Sequence, residues 1–292
     1  MKFETNKTYF LPGAMGTEIQ RRGHTTALPL WSAKVLFDAP EIVGDIHRDY
    51  IRAGANILTT NTFRTQRRTL ALAGLDGETE RINKLAVDLA VQARDAEKVS
   101  RPVYIAACIT TLEDCYRVDL VPEQDVCERE HAEQVALFVE TPIDFFALET
   151  FNTIREAEAA AQAVTNKGKQ FMVSFVPDED GNILSGESWA DAVACMQKYS
   201  PLAMLVNCAP PETVTRALEK LALVAKENGI PFGAYANGEG AAGSAEGWDF
   251  SKQGSPIESY AEHTRAWKAL GATVIGGCCG TTPEYTEQYS RI

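Results

Sequence analysis

Three cysteines in this chain have the residue type and the placement of metal ligands. Cys278 and Cys279 are adjacent, follow a β-branched run and two glycines, and are themselves followed by Gly280. Cys208 ends a second apolar run, which begins at Leu202. Three thiolates around a soft divalent ion, with one coordination position left open, make the ligand set of a catalytic zinc site. The sequence therefore predicts that Cys208, Cys278 and Cys279 bind zinc.

The adjacent pair can serve one centre only if the chain turns there. Neighbouring side chains on a regular strand point to opposite faces. Glycines stand on both sides of the pair, at Gly276, Gly277 and Gly280. Because glycine adopts backbone angles that other residues resist, we expect these glycines to bend the chain and let both sulfurs face one point.

The other cysteines and the histidines are expected to be structural. The chain has 7 cysteines, an odd number, and its start lacks a secretion signal, so free thiols or metal ligands are favoured over disulfides. A free cysteine commonly packs as a small hydrophobic residue. Buried, metal-free thiols are therefore expected at Cys108, Cys115, Cys127 and Cys195. Positions on helix surfaces, without a catalytic role, are expected for His24, His47, His131 and His263.

Composition restricts the partners. The chain has 292 residues, of which 45% are hydrophobic and 23% charged, as in an ordinary globular protein. With 28 Lys and Arg against 40 Asp and Glu, the formal net charge is −12. Nucleic acid and anionic membranes need a basic face, so we expect neither as a partner. No run approaches the roughly 18 apolar residues of a membrane span, and the chain is interpreted as cytoplasmic.

Eight short apolar segments alternate with amphipathic ones along the chain and must position the cysteines. The apolar segments are 8–11, 56–60, 103–109, 145–148, 170–175, 203–207, 232–235 and 273–275. Helical spacing of apolar residues is found in 78–98, 123–140, 154–166, 213–228 and 257–270. Alternation of strand and helix gives parallel pairing through crossovers, and eight such units favour a closed barrel. The predicted fold is α/β, a single-domain (β/α)8 TIM barrel over residues 1–292.

Polar residues collect where the predicted strands end. Active sites of such barrels lie in the loops at these ends, so we expect the site there. Glu149 directly follows an apolar run, where an unpaired charge is costly, and a cationic partner from substrate or protein is expected. The long, glycine-rich segment 237–256 is either a mobile surface loop or a lid.

Six ordered motifs connect the chain to a known family. They are Gly-Ala-Met-Gly-Thr-Glu at 13–18, Leu-Trp-Ser-Ala-Lys at 30–34, Thr-Asn-Thr-Phe at 60–63, Leu-Glu-Thr-Phe at 148–151, Val-Asn-Cys at 206–208 and Gly-Gly-Cys-Cys-Gly-Thr-Thr-Pro at 276–283. In these motifs the chain resembles the homocysteine S-methyltransferase family along essentially its whole length. The resemblance implies a zinc-dependent (β/α)8 barrel that methylates homocysteine to methionine.

The resemblance also implies residue roles. The three cysteines would hold zinc, the substrate thiol would become the fourth ligand, and Glu149 would hold the ammonium group of homocysteine. Zinc deprotonates a bound thiol, so a nucleophile forms without a separate general base. Further substrate contacts are expected from Gly13, Thr17, Thr60, Asn61, Asn207 and Gly277. Donor contacts are expected from Trp31, Phe63 and Tyr235.

Departures from the family pattern leave the donor open. Pro12 stands where the family usually has an Asp that helps to bind substrate. Arg64 and Thr150 stand where betaine enzymes carry tyrosines, which disfavours betaine because a quaternary ammonium needs several aromatic faces. A small sulfonium, S-methylmethionine or S-adenosylmethionine, is the favoured donor. The alternatives are a barrel subunit that accepts methyl from a separate corrinoid protein, and a non-catalytic zinc- or thiol-binding relative.

Overall fold

The computed structural model describes residues 2–243 and 247–292, and its centre is a barrel of eight parallel strands. The barrel strands are β1 Tyr9–Phe10, β2 Ile57–Thr59, β3 Tyr104–Thr110, β4 Phe145–Phe151, β5 Phe171–Phe175, β6 Met204–Asn207, β7 Phe232–Ala236 and β10 Val274–Gly277. Two further strands, β8 Ala241–Ala242 and β9 Trp248–Asp249, form a separate antiparallel pair. Each predicted apolar segment overlaps one barrel strand, so the predicted fold class is confirmed.

The strand order β1-β10-β7-β6-β5-β4-β3-β2 leaves β1 and β2 at the two ends of the sheet. Asn56, just before β2, joins them. Its backbone N–H donates to the Phe10 carbonyl at 2.9 Å, and its Oδ1 accepts from the Phe10 N–H at 2.7 Å. The barrel is thus closed by one residue that pairs with β1 through both its main chain and its side chain.

Strand β4 shows how the sequence divides between the two faces of the barrel. Phe145 and Ala147 belong to the cluster in the barrel interior. Phe146 and Leu148 pack in the cluster between the strands and the helices. This alternation is the period of two expected for a strand, and here both faces are apolar because helices cover the outside. Glu149 continues the interior series, which directs its carboxylate into the barrel.

Helices surround the barrel and connect its strands. They are α1 Met15–Arg21, α2 Val35–Asp38, α3 Glu41–Ala53, α4 Arg67–Ala71, α5 Thr79–Ala96, α6 Gln124–Ala136, α7 Ile154–Asn166, α8 Trp189–Met196, α9 Pro211–Glu227, α10 Ile257–Ala269 and α11 Pro283–Ser290. The five predicted amphipathic segments correspond to α5, α6, α7, α9 and α10. Among the described residues, none of the helices combines the length and the apolar character needed to cross a bilayer.

Candidate metal centre and substrate pocket

The three predicted metal ligands meet at the carboxyl ends of β6 and β10. The sulfurs of Cys208, Cys278 and Cys279 all lie within 4.8 Å of one another. A tetrahedral site with zinc–sulfur bonds of about 2.3 Å has sulfur–sulfur separations of about 3.8 Å. The donor set and its spacing therefore fit a zinc ion with three protein ligands, although zinc binding itself stays a prediction.

Cys208 reaches this point because the backbone leaves strand geometry directly after β6. Leu205 faces the barrel interior, Met204 and Val206 face the helices, and Asn207 faces the pocket. A regular strand would turn the next side chain toward the helices. Cys208 has a φ of 59° instead, in the left-handed region that non-glycine residues rarely adopt. This backbone conformation directs its sulfur toward the pocket.

The adjacent pair is arranged by a turn after β10. The Thr281 N–H donates to the Cys278 carbonyl at 3.2 Å, and Gly280, the third residue of this turn, has a φ of 79°. A positive φ at that position is typical of a type II turn and favours glycine. The turn lets the neighbouring sulfurs of Cys278 and Cys279 approach Cys208.

The expectation for the two glycines before the pair needs correction. Neither Gly276 nor Gly277 has a positive φ. A side chain at Gly276 would collide with Leu11, and one at Gly277 would collide with Thr281. These two glycines therefore permit close packing, and the bend itself comes from Gly280.

Hydrogen bonds with the first βα loop and with helix α1 hold the turn in place. The Gly280 N–H donates to Thr17 Oγ1 at 2.9 Å, and the Ala14 N–H donates to Thr281 Oγ1 at 3.2 Å. The Tyr50 hydroxyl donates to the Ala14 carbonyl at 2.9 Å. Thr17 was expected to touch substrate, but it is fully buried behind the turn, so its visible role is to support the turn.

The three thiols influence one another's ionisation. The neighbouring thiols of Cys278 and Cys279 stabilise the Cys208 thiolate and lower the pKa of Cys208. The same interactions raise the pKa of Cys278. One thiol of the cluster is therefore deprotonated more easily than an isolated thiol, and the other two hold their protons more tightly.

Glu149 faces the same pocket from β4. The pairing of β4 with β5 shifts here, and Thr150 has a φ of 66°. Such a bulge re-aims the neighbouring side chains. Burial raises the pKa of Glu149 to about 7; a hydrogen bond from Cys108 Sγ to Glu149 Oε2, at 3.0 Å, opposes the rise, and the nearby Cys208 adds to it. No basic side chain pairs with this carboxylate among the described residues, which leaves the expected cationic partner to the substrate.

A pocket of about 250 Å³ lies between Glu149 and the cysteine cluster. Its wall includes most of the other residues predicted to bind substrate or donor, namely Gly13, Trp31, Thr60, Asn61, Phe63, Asn207, Tyr235 and Gly277. Pro12 also lines it, and the Pro12 carbonyl accepts the Gly277 N–H at 3.2 Å. Thr17 lies behind the wall.

Two asparagines in the wall keep one polar atom free. Asn61 Nδ2 donates to the Ser32 carbonyl at 3.0 Å, and Asn207 Nδ2 donates to Thr150 Oγ1 at 2.7 Å. The buried Oδ1 atoms of both have no hydrogen-bond partner among the described residues. Because buried polar atoms normally have partners, these two oxygens can accept hydrogen bonds from a bound molecule. The Thr60 hydroxyl, by contrast, is already used by the Cys108 N–H at 3.0 Å.

The three predicted donor contacts differ in depth. Trp31 and Phe63 are partly exposed in the pocket wall, and Trp31 has a φ of 50°. Tyr235 is only 5% exposed, belongs to the interior cluster, and hydrogen-bonds to Ser174 Oγ at 2.5 Å. Tyr235 therefore lies deep in the barrel. Burial raises the pKa of the Tyr235 hydroxyl, and the nearby Glu149 carboxylate raises it further.

The loop between β3 and α6 contributes residues that the sequence analysis did not assign to the site. The Tyr116 hydroxyl lies 3.0 Å from the Cys208 carbonyl oxygen and 3.1 Å from Cys208 Sγ. Cys115 and Asp114 also line the pocket. The signal that could have revealed them is their position, since this loop follows the carboxyl end of a barrel strand.

Several expected structural residues also behave differently. All seven cysteines are free, and Cys127 and Cys195 are buried without lining the pocket, as expected. Cys108 and Cys115 are buried too, but both line the pocket. The expectation of helix-surface histidines is wrong for His47 and His131, which are 1% and 0% exposed, and for His24, which follows α1 instead of lying on a helix. The reason for the first two is that α3 and α6 turn these positions toward the core.

The segment 237–256 folds partly over the pocket. Its hairpin strands β8 and β9 contribute Ala242 and Trp248 to the pocket wall. Gln20 on α1 holds the hairpin, since its Nε2 donates to the Trp248 carbonyl at 2.7 Å and its Oε1 accepts the Trp248 N–H at 3.1 Å. Residues 244–246 lie outside the described part of the segment. The described part covers the pocket, as a lid would.

Comparisons with known proteins agree with this arrangement. Residues 9–292 match the family described as homocysteine S-methyltransferase. The chain is 31% identical to the homocysteine S-methyltransferase of Escherichia coli (strain K12), over 94% of this chain and 91% of that protein. It is 29% identical to homocysteine S-methyltransferase YbgG of Bacillus subtilis (strain 168), over 98% of this chain and 94% of that protein.

A solved structure shares the fold closely. The metallated form of the homocysteine methyltransferase MmuM from Escherichia coli superimposes with a TM-score of 0.85 at 28% identity. The match covers 98% of this chain and 96% of that one.

Proposed function

Because this chain belongs to the homocysteine S-methyltransferase family, we propose that it is a zinc-dependent enzyme that uses a small sulfonium as its methyl donor. The family match and the relatives make it an enzyme that transfers a methyl group to homocysteine. The metal, the donor and the residue roles given below are the proposal. S-methylmethionine is the first candidate donor and S-adenosylmethionine the second.

One observation carries this proposal. Three cysteine sulfurs within 4.8 Å of one another face a pocket that also contains Glu149, a carboxylate without a basic partner among the described residues. A bound zinc ion would lower the pKa of the homocysteine thiol and keep it as the nucleophilic thiolate. No side chain is then required as a general base.

The residues of the chain would bind and orient the substrate. Glu149 would pair with the ammonium group of homocysteine, and the free Oδ1 atoms of Asn61 and Asn207 would accept hydrogen bonds from it. Methyl transfer is an in-line displacement that needs the sulfur, the methyl carbon and the leaving atom aligned at close approach. A sulfonium leaves as a neutral thioether, so the pocket needs no acid to protonate a leaving group.

The test is zinc quantification followed by a donor panel. We expect one zinc per chain and methionine formation from homocysteine with S-methylmethionine. Failure of the zinc-loaded enzyme to form methionine from any sulfonium donor would contradict the proposal. Methionine formed only after addition of a methylated corrinoid protein would favour the alternative of a barrel subunit that accepts methyl from that protein. The enzymatic assignment disfavours the non-catalytic alternative.

A further inference from the structure

Two opposite charges face the pocket without an ionic partner. Arg64, which is half-buried after β2, makes no hydrogen bond and no ion pair with any described residue. Asp114, in the β3–α6 loop, also lacks an ion pair there, and one of its carboxylate oxygens accepts only the Tyr116 N–H, at 2.9 Å. Unpaired charges in a partly dry pocket are costly, so a ligand that supplies the complementary charges would be bound.

Charged residues next to Arg64 and Asp114 in the sequence do form ion pairs. Arg67 and Arg68, three and four positions later, are paired with Glu133 and Glu130 outside the pocket. Arg68 also pairs at 3.0 Å with Glu113, the residue before Asp114. The outward-facing charges of α4 and of the β3–α6 loop are therefore paired, whereas Arg64 and Asp114, which line the pocket, have no ionic partner among the described residues.

Both charges lie close to the candidate metal centre. Burial raises the pKa of the Cys115 thiol, the neighbouring Cys208 and Asp114 add to the rise, and the Arg64 guanidinium opposes it. Cys115 is thus within electrostatic reach of both charges and of the cluster. The loop that carries Asp114 is also fastened to the cluster, since Tyr116 contacts Cys208 at 3.1 Å.

We propose, building on the function proposed above, that Arg64 and Asp114 form the site for the head group of the methyl donor. Arg64 binds its carboxylate and Asp114 binds its ammonium group. Glu149, the proposed homocysteine contact, is carried by β4 itself, whereas Asp114 belongs to the loop after β3, so each amino-acid substrate would have its own anionic group. The donor class is therefore an α-amino acid that carries a sulfonium.

Electrostatics supports a donor with a carboxylate. A sulfonium is a cation, and a second unpaired cation in the same pocket repels it strongly where water is scarce. A carboxylate on the donor removes that conflict, because a guanidinium binds a carboxylate through two parallel hydrogen bonds. Arg64 consequently favours sulfonium donors with a carboxylate over those without one.

The test compares three donors on the zinc-loaded enzyme. S-methylmethionine has a carboxylate and an ammonium group, dimethylsulfoniopropionate has the carboxylate alone, and trimethylsulfonium has neither. For Arg64→Gln we expect the KM of the first two donors to rise roughly 10- to 100-fold, the usual effect of losing a charged hydrogen bond. For Asp114→Asn we expect such a rise with S-methylmethionine alone. The KM of homocysteine should be unchanged in both variants, and Arg64→Gln should use trimethylsulfonium at least as well as the wild type, because this variant removes the repelling guanidinium.

Controls and a binding measurement keep the outcomes distinct. Arg67→Gln removes a guanidinium that is paired outside the pocket and should leave every donor unaffected. Calorimetric binding of S-methylmethionine to zinc-loaded enzyme, without homocysteine, should weaken by the same factor in Arg64→Gln and recover partly in Arg64→Lys. An equal loss with all three donors would overturn the proposal and indicate that Arg64 balances the charge of the thiolate cluster. Unchanged binding and unchanged KM in both pocket variants would also overturn it. If sulfonium donors bind but give no methionine, the proposed function fails while the head-group site is still decided by the binding data.

Discussion

The two ends of the barrel interior are built from the same strands but have opposite character. At the amino ends, Phe3 stacks on Tyr9 with ring centroids 4.3 Å apart and meets Phe145 edge-on at 5.6 Å. We call this the aromatic layer. At the carboxyl ends, Glu149 and the cysteine cluster face the pocket, which we call the polar layer.

Backbone strain and unsatisfied atoms follow the same division. Trp31, Thr150 and Cys208, three of the four described non-glycine residues with a positive φ, line the pocket. The free Oδ1 atoms of Asn61 and Asn207 lie there too. Strained backbones and unpaired polar groups are unfavourable and persist where the surrounding structure holds them. The difference indicates that packing in the aromatic layer stabilises the fold and offsets the unfavourable strain and unpaired polar atoms in the polar layer.

The largest effect should come from removing a sulfur in the polar layer. For Cys208→Ala we expect loss of bound zinc and a fall in methyl transfer on the order of a thousandfold, since metal catalysis supplies several kcal/mol of transition-state stabilisation. Metal analysis and a methionine assay would measure both. The matched control is Cys195→Ala, a buried free thiol outside the pocket. Full zinc content in Cys208→Ala would remove the basis of the proposed centre.

The aromatic layer should respond in stability and not in chemistry. Phe145 is fully buried, so Phe145→Ala should lower the free energy of unfolding by about 3–5 kcal/mol. Denaturant unfolding would measure the loss, and zinc content should be unchanged at temperatures where the variant stays folded. Phe145→Leu, with a smaller cavity, serves if the alanine variant does not fold. Loss of zinc in the folded leucine variant would show that the two layers are coupled.

Glu149 should separate substrate binding from metal binding within the polar layer. Its pKa of about 7 in the free enzyme means that the carboxylate is protonated as the pH falls below 7. A protonated carboxyl cannot pair with the ammonium of homocysteine, so kcat/KM for homocysteine should fall below that pH.

The variant Glu149→Gln should raise the KM of homocysteine roughly 10- to 100-fold. Its kcat/KM should no longer fall as the pH drops below 7, and its zinc content should be unchanged. The exposed Glu219→Gln should keep the wild-type profile. A fall below pH 7 that persists in Glu149→Gln would assign it to another group.

The smallest effect should come from the hairpin above the polar layer. Gln20→Ala removes two hydrogen bonds to Trp248 and should weaken donor binding by a factor of about five, corresponding to roughly 1 kcal/mol. The KM for the donor is the measurement. Gln124→Ala, which removes an exposed hydrogen bond to Glu128, is the control. An unchanged donor KM would mean that the hairpin does not help to enclose the donor.

The sequence by itself was sufficient to predict the barrel and the positions of the three cysteines and Glu149 at the ends of its strands. The strand and helix periods can be read from local sequence. A closed barrel of parallel strands then brings the carboxyl ends of all its strands to one face. Because Cys208 and the Cys278–Cys279 pair follow the carboxyl ends of strands, the fold places all three cysteines on the same face of the barrel. Glu149 continues the interior alternation of β4, so its direction could also be anticipated.

Tertiary structure decided the remaining details. Tyr116 and Cys208 are 92 positions apart, and nothing in the local pattern of either residue indicates their contact. Thr17 belongs to the 13–18 motif but faces the turn behind the pocket. His131 lies in a helix of mostly polar sequence but is buried. Such outcomes depend on loop conformation and on the rotation of each helix against the barrel. These are set by packing between distant segments, which a one-dimensional pattern does not encode.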